Sequence, residues 1–584
     1  METLVAVAVS AVMLMATYSA IQSLFNIVSS SRAKIDAVDL VNEQIEIIRN
    51  MPYSEVGIAQ GIPSGVLSHV QNLTRDGFNF TVTTFVRNID DPFDGTIGGT
   101  PSDTSPQDYK SIEVDLACSN CKNFTPVKIT TTVAPKNLET ASTNGALFVK
   151  AFDASGNPVV EANVHIENDN VSPNIIVDDV TNNQGLLEVV DVPPANSAYQ
   201  ITVSKVGYST DKTYLASSTN PHPTVPSATV VLQSITQASF SIDKLGSFSV
   251  SSVLNSCAPA PNFHFSLTGA KNIGTNPVVP KYSQNLTTDS GGLLTVSNME
   301  WDSYTFSSST EAVYDLVGIT PLSPVSLAPA GSQNVTLVVA PKNPNTLLVT
   351  VRDKTTLLPL SVASVELTNA KSGYDNVQMT GQGFLRQTDW SGGSGQATST
   401  TNSNQYFSSD GNVDVTTQAG SVTLKKILGK YATSGTLMSS SFDIGFVGTF
   451  QQILWNPGSE PSGTSVQMQI ATNNNGGTWN FVGPDGTSAT YYTTSNQNIF
   501  TTGTARYLRY KLFLSTTNTS VTPNVSDTSF TFTSSCTPPG QVSFSGLASG
   551  NYNVTITKAG YVTQIVPINI SSGWQSVDVS MQGN

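Results

Sequence analysis

Four histidines, His69, His165, His222 and His264, are the side chains best suited to acid–base work or zinc ligation, and they are scattered along the chain. None has a partner four residues away, as a zinc-binding helix requires, and no GxSxG elbow or P-loop is present. Glycan hydrolysis needs two carboxylates facing one cleft, and no spacing marks such a pair. The sequence implies no catalytic residue, no cofactor and no firm metal site. Cys118 and Cys121 stand in ACSNC at an expected strand end. Two ligands do not complete a zinc site, and a redox CxxC needs a helix N-terminus. The pair reads as a local disulfide or as two free thiols. Cys257 in CAPAPN and Cys536 in CTPPGQ each precede a Pro-rich turn. A bridge between them requires Cα atoms within about 7 Å, which spacing alone does not show. Asp90, Asp91 and Asp94, followed by Gly95, offer oxygen ligands without the spacing or terminal glutamate of an EF-hand. Calcium binding and a solvated turn are the two readings.

Something must position so few reactive groups over 584 residues, and composition says what. A prior of roughly 150 residues per domain suggests about four domains. Only 12% of residues are charged, so the surface is mostly Ser, Thr and Asn. The net charge of −14 argues against nucleic acid, because no basic stripe neutralises phosphates. A Thr-, Val- and Asn-rich chain with frequent Gly and Pro reads as mainly β and extracellular. Four cysteines are too few for disulfides to be its main source of stability.

The one carboxylate with an unusual setting is Glu2. From Thr3 to Val28 nothing is charged, a stretch long enough to cross a bilayer as a helix. RAKIDAVDLVNEQIEIIRN follows, with Ile35, Val38, Val41, Ile45 and Ile48 spaced as one helical stripe until Pro52 ends it. One helix over about 50 residues would run roughly 75 Å. A cleaved signal peptide needs a basic start and a cleavage site close to the apolar run; here the start is acidic and the helix continues well past any such site. A plain membrane anchor accounts for the length but not for Glu2. It also leaves Arg32 and Lys34 on the wrong side for an exported C-terminal part.

METLVAVAVSAVMLMATYSAIQSLFNIV resembles the N-terminal segment of bacterial type IV pilins, and Met1-Glu2-Thr3-Leu4-Val5-Ala6 matches the start of their mature helix. The resemblance implies cleavage of a basic leader by a prepilin peptidase and residence in the inner membrane. Assembly machinery then builds like subunits into a helical filament, in which Glu2 pairs with a neighbour's terminal amine. No leader or preceding glycine stands before Met1; a late-read start, a truncated chain or different processing would each produce that. A carboxylate at membrane depth costs a few kcal/mol and is normally kept only with a partner. The segments FNFTVTTFV, SIEVDLA and VKITTTVA alternate as strands. A long helix followed by a small antiparallel sheet resembles the pilin architecture. This first module is expected at 1–138, with the helix to 50 and the sheet from 51.

Beyond residue 140 the chain repeats itself. YQITVSKVGY (199–208) and YNVTITKAGY (552–561) nearly superimpose, and each closes a strand–turn–strand unit. A diverged copy between them includes NFHFSLTGAKNIG and SGGLLTVSNMEWDSYTF. These units resemble carboxypeptidase-regulatory-like (transthyretin-like) β-sandwiches, which serve as stalks and spacers. They are expected at 139–235, at 236–342, and, split, at 343–379 plus 536–584. Lys150 raises an intramolecular isopeptide bond, but the other copies lack an equivalent lysine on that strand.

The split copy carries an insert at 380–535 that resembles a galactose-binding-like jelly roll, on the strength of YATSGTLMSSSFDIG and RYLRYKLFL. Alternation in that last strand puts Leu508, Tyr510, Leu512 and Leu514 on a core face. Tyr507 and Arg509 lie on the other face, which with Trp479, Tyr491 and Tyr492 from loops could stack on a sugar or a partner surface. Alternatively Trp455 and most of these aromatics fill the sandwich. The expectation is a mainly β multidomain subunit of a type IV pilus-like surface filament, adhesive through its outer modules. The alternative is a membrane-anchored adhesin that never polymerises and binds glycans through the insert.

Overall fold

The structure, a computed structural model, describes residues 2–136, 141–309, 313–398, 403–457, 460–571 and 573–584. It is mainly β, with one long hydrophobic helix, Glu2–Arg49, at the N-terminus. At 1.5 Å per residue its 48 residues span about 72 Å. The second half packs on a four-stranded antiparallel sheet of Val70–Arg75, Phe78–Ile89, Tyr109–Cys118 and Val127–Val133, in that order. Alternation in these strands sends Phe80, Val82, Ile112, Val114 and Leu116 to the helix side. The Asp76-Gly77 turn, with both residues at positive φ, closes the first hairpin with the twist the strands need.

The docked face of the helix keeps Val41, Ile45 and Ile48 of the expected stripe but departs from it in the preceding turns. Ala33, Ala37, Leu40, Val41, Ile45 and Ile48 are buried, whereas Ile35 is 62% and Val38 37% exposed. Two alanines at the contact let the helix approach the sheet closely, so the wider residues turn outward. Beyond the helix, Lys110 is buried and its Nζ donates to the carbonyls of Tyr53 (3.0 Å) and Val56 (2.6 Å). It pins the loop that follows Pro52, and burial lowers its pKa.

Three β-sandwiches follow and share one topology. In each, an opening strand lies between an antiparallel partner and a parallel closing strand. Gly145–Phe152 sits between Leu186–Val192 and Ile235–Ser241. Gly246–Leu254 sits between Leu293–Met299 and Ser332–Pro341. Thr346–Asp353 sits between Gln541–Phe544 and Trp574–Met581. Since Ile235–Ser241 completes the first sandwich, that unit ends after this strand rather than at residue 235. The boundary expected at 138/139 lies outside the described residues. The shared sequence pattern has a shared use. The buried tyrosine of each unit donates its hydroxyl to an upstream carbonyl: Tyr199 to Pro193 (2.6 Å), Tyr304 to Glu300 (2.7 Å), Tyr552 to Ala548 (3.0 Å). Lys205 and Lys558, in the two closest repeats, reach back to the carbonyls of Val160 and Ser361. Lys150 is exposed on its strand.

The third sandwich is interrupted after Tyr374–Met379, and the intervening chain forms a separate β unit. Its first and last strands, Gly383–Gln387 and Asp527–Thr533, pair with each other, so entry and exit lie side by side. An insert with adjacent ends leaves its host intact. Trp390, Phe450, Trp455, Tyr510 and Phe530 fill its core. Within that core the Tyr510 hydroxyl accepts from Trp390 Nε1 at 2.7 Å and donates to Gln387 Oε1 at 2.9 Å.

Candidate functional site

The first half of the helix presents apolar side chains on every side, Val7, Met13, Leu14 and Phe25 among them, each more than 60% exposed. It is long and apolar enough to cross a membrane. Three of its hydroxyls do not spoil that surface. Ser10 donates to the carbonyl of Ala6, Thr17 to that of Met13 and Ser19 to that of Ala16, each at 2.8 Å. Donors satisfied within their own helix can enter an apolar environment at low cost. Glu2 sits in the first turn of the helix, where a carboxylate meets the positive end of the helix dipole. Among the described residues nothing pairs with it.

The acidic loop is not assembled as an oxygen cage. One Asp90 oxygen accepts from the Ile97 amide at 2.9 Å, and Asp91 accepts from the Phe93 amide at 3.1 Å. Asp108 in turn accepts from the Asp91 amide. Burial, with Asp103, Asp108 and Asp94 nearby, raises the pKa of Asp90. Among the described residues no group of three His, Cys, Asp or Glu is placed to hold a metal, and Asp90 and Asp91 each accept a backbone amide of their own loop. Cys118 and Cys121 are bridged at the end of their strand, and Cys257 is bridged to Cys536, with Cα atoms 5.5 Å apart.

On the inserted unit, the strand Ala505–Thr516 brings part of the expected face together. The Arg509 guanidinium lies 4.2 Å from the ring centre of Phe407 and 4.7 Å from that of Trp479. Its Nη2 donates to the carbonyl of Ala397 at 2.9 Å, and its Nε is buried with no hydrogen-bond partner among the described residues. Arg509 is 5% exposed, burial lowers its pKa, and among the described residues no carboxylate pairs with it. Tyr507 is half-buried beside Arg506, whose fork holds Asp443 through two 2.8 Å bonds. Tyr491 meets the Phe513 ring edge-on at 5.1 Å. Tyr492 does not belong to this face. It is fully buried, bridges Met468, and its hydroxyl accepts from the Phe500 amide. Consecutive residues of an extended segment point to opposite sides, so Tyr491 and Tyr492 could not both face out. Phe407 went unnoticed in the sequence because NSNQYFSSD carries no strand pattern.

No family model matches the chain, and no curated protein matches it. Solved structures align to parts of it. The Bacillus anthracis TIE protein aligns at 10% identity, over 87% of this chain and 72% of that one, with a TM-score of 0.16. A minor pilin of Streptococcus agalactiae aligns at 13% identity over 34% and 97%, with a TM-score of 0.17. A streptococcal ancillary pilin aligns at 11% identity over 76% and 99%, with a TM-score of 0.14. At these TM-scores the likeness carries no argument, and the functional reading rests on the chain's own residues.

Proposed function

We propose that the chain is a subunit of a type IV pilus-like surface filament. The observation that carries this reading is the helix Glu2–Arg49. Its outer half is apolar on all sides, with Ser10, Thr17 and Ser19 bonded to its own carbonyls, and a single carboxylate without a partner among the described residues stands at its head. Apolar surface of this extent must be covered by lipid or by like helices. The inner membrane covers it before assembly and neighbouring helices cover it in the filament core. In that core Glu2 takes a partner from the next subunit, the terminal amine left by a prepilin peptidase, and so sets the stagger between helices. The head and sandwiches then lie outside, carried past the cell surface by the assembly machinery. Electron microscopy of producing cells tests this. Filaments are expected from the wild-type chain and lost with Glu2→Ala at equal protein level; normal filaments from Glu2→Ala remove the register role.

The adhesive role rests on the inserted unit, where Trp479, Arg509 and Phe407 form an aromatic–cation stack with an unused buried donor. The partly exposed rings of Phe407 and Trp479 suit a surface glycan, with the buried Arg509 between them holding the stack in place. Glycan-array binding by the whole chain, compared with Trp479→Ala, tests it. A chain that binds glycans but forms no filaments would favour the anchored, non-polymerising adhesin.

A further inference from the structure

The inserted unit carries a second exposed feature, on a different element from the Arg509 stack. Lys426–Ile427 and Lys430–Tyr431 form a short hairpin closed by Leu428 and Gly429. Residues 425–430 are all exposed, Ile427 at 55% and Leu428 at 100%. Leu428 has a φ of 50° and Gly429 of 83°, a turn whose first position normally takes Asn, Asp or Gly. A leucine held there is doubly unfavourable in water, once for its backbone and once for its bare side chain. It has no ring or core to rest on.

Charge sets the tip apart as well. In a chain of net charge −14, Lys425, Lys426 and Lys430 fall within six residues, and no acid occurs between Asp414 and Asp443. Of the carboxylates near the hairpin in the register, Glu460 takes the Asn524 amide on one oxygen and keeps the other buried, and the two on the preceding turns are occupied. Asp410 accepts from Asn412 and Thr436, and Asp414 accepts from Thr416 and Thr417. Among the described residues none of the three ammonium groups has an ion-pair partner.

The hairpin also stands at an end of the unit that faces away from its host. The Tyr431 amide donates to the carbonyl of Thr519 and the Leu424 amide to Thr522 Oγ1, in the turn leading to Asp527–Thr533. The chain enters the unit at Gly383, opposite Phe532, and leaves at Thr533, so both attachments lie at the far end of that last strand.

From these three observations we infer that the hairpin is a docking spike for an anionic lipid bilayer. Ile427 and Leu428 enter the boundary between headgroups and acyl chains, while the three lysines meet anionic headgroups at the same depth. A polyanion alone would explain the lysines but not the bare leucine, and a neutral apolar partner would explain the leucine but not the lysines. Two apolar side chains bind weakly by themselves, so attachment depends on many copies acting together. The inference stands whether or not the chain polymerises.

The test uses the full chain held by its own helix in phosphatidylcholine vesicles. A second vesicle population, of phosphatidylcholine with or without phosphatidylglycerol, is then offered. Leu428→Cys carries an environment-sensitive fluorophore; all four native cysteines are bridged, so this thiol alone reacts. The expected result is docking and a blue-shifted emission with phosphatidylglycerol only, weakened by salt. Each Lys→Gln change at 425, 426 or 430 should lower docking about fivefold. In unlabelled chains, Leu428→Ser should lower it on the order of tenfold. Docking without any emission shift overturns the inference. So does docking that Leu428→Ser leaves unchanged and dextran sulfate abolishes, which would mean polyanion binding. Equal near-ultraviolet spectra of the variants, reporting the buried Trp390 and Tyr510, establish that the unit is intact.

Discussion

Arg87 of the head grips Asp179 of the first sandwich with two hydrogen bonds, Nε at 2.7 Å and Nη2 at 2.5 Å. Glu113 flanks the same guanidinium at 3.3 Å, and the Ile176 amide donates to the carbonyl of Gln60 beside it. Burial works against the charge on Arg87, but Asp179 and Glu113 outweigh it and raise its pKa. A bidentate pair of this kind fixes orientation as well as distance. Arg87→Ala should therefore loosen this junction by about 2 kcal/mol, because Asp179 stays buried without its partner. Amide exchange at Ile176 should quicken on the order of tenfold or more, while exchange in the centres of both units stays as in the wild type.

The tyrosine hydroxyls of the three sandwiches make the same bond, so they should respond alike. Tyr199→Phe, Tyr304→Phe and Tyr552→Phe each remove a donor and leave a carbonyl half-buried and unmet. Each should cost about 1 kcal/mol, read as a lowered transition for that unit alone in thermal unfolding. A loss confined to Tyr199, with the other two silent, would mean that the repeat shares a shape without sharing its energetics.

Cys257 and Cys536 join positions 279 residues apart. Around that bridge Gln541 clamps Ile319, its Nε2 donating to the carbonyl at 2.7 Å and its Oε1 accepting from the amide at 3.0 Å. Trp574 Nε1 donates to the carbonyl of Leu316 at 2.6 Å. Cys257→Ser with Cys536→Ser should cost about 5 kcal/mol, because a long closed loop is released in the unfolded chain. The noncovalent clamp should keep the second and third sandwiches docked in the native state. Small-angle scattering before and after reduction checks this: an unchanged profile is expected.

His165 offers a pH dependence whose sign is fixed by its neighbours. Burial alone would lower its pKa, but Asp178 at 2.7 Å and Glu167 at 3.4 Å outweigh that and raise it. A raised folded pKa means that the stabilisation is full below the unfolded value of about 6.5 and is lost as pH rises through the folded value. The ring is 42% exposed, so screening limits the effect to about 0.5 kcal/mol. His165→Gln should lower the stability of the first sandwich at pH 5.5 and leave it unchanged at pH 9. The unfolding midpoint at the two pH values measures it.

Much of this architecture was legible because it rests on local periodicity. The uncharged run to Val28, the alternation in FNFTVTTFV and the paired YQITVSKVGY and YNVTITKAGY each declare an element within a short window. What stayed hidden depends on neighbours distant in sequence. Which side of RAKIDAVDL docks is decided by how near the sheet comes, not by which residues are greasiest. That Ile235–Ser241 belongs with Gly145–Phe152 follows from a parallel pairing across almost a hundred residues. The Arg509 stack was half visible: the strand phase gave Arg509, but Phe407 reaches it from a loop with no pattern of its own.

The shifted start of the docked helix face makes the sharpest separation between folding and assembly. Ala37 is fully buried against the sheet, whereas Ile35 is exposed on the opposite side and Val38 and Ile47 are partly exposed at the two edges of the docked face. Ala37→Leu pushes a larger side chain into a closed contact and should cost about 1–3 kcal/mol of head stability. Ile35→Ser removes mostly outward surface and should leave the unfolding midpoint of the head unchanged, whereas Val38→Ser, at a position only 37% exposed, should lower it slightly. If the outward face packs on the next subunit, the serine variants instead reduce filament number and raise the critical concentration for assembly. Thermal unfolding in detergent and filament counts by electron microscopy, taken on the same variants, distinguish the two effects. An Ile35→Ser head that unfolds early, or filaments indifferent to both serine changes, would take the subunit contact off this face.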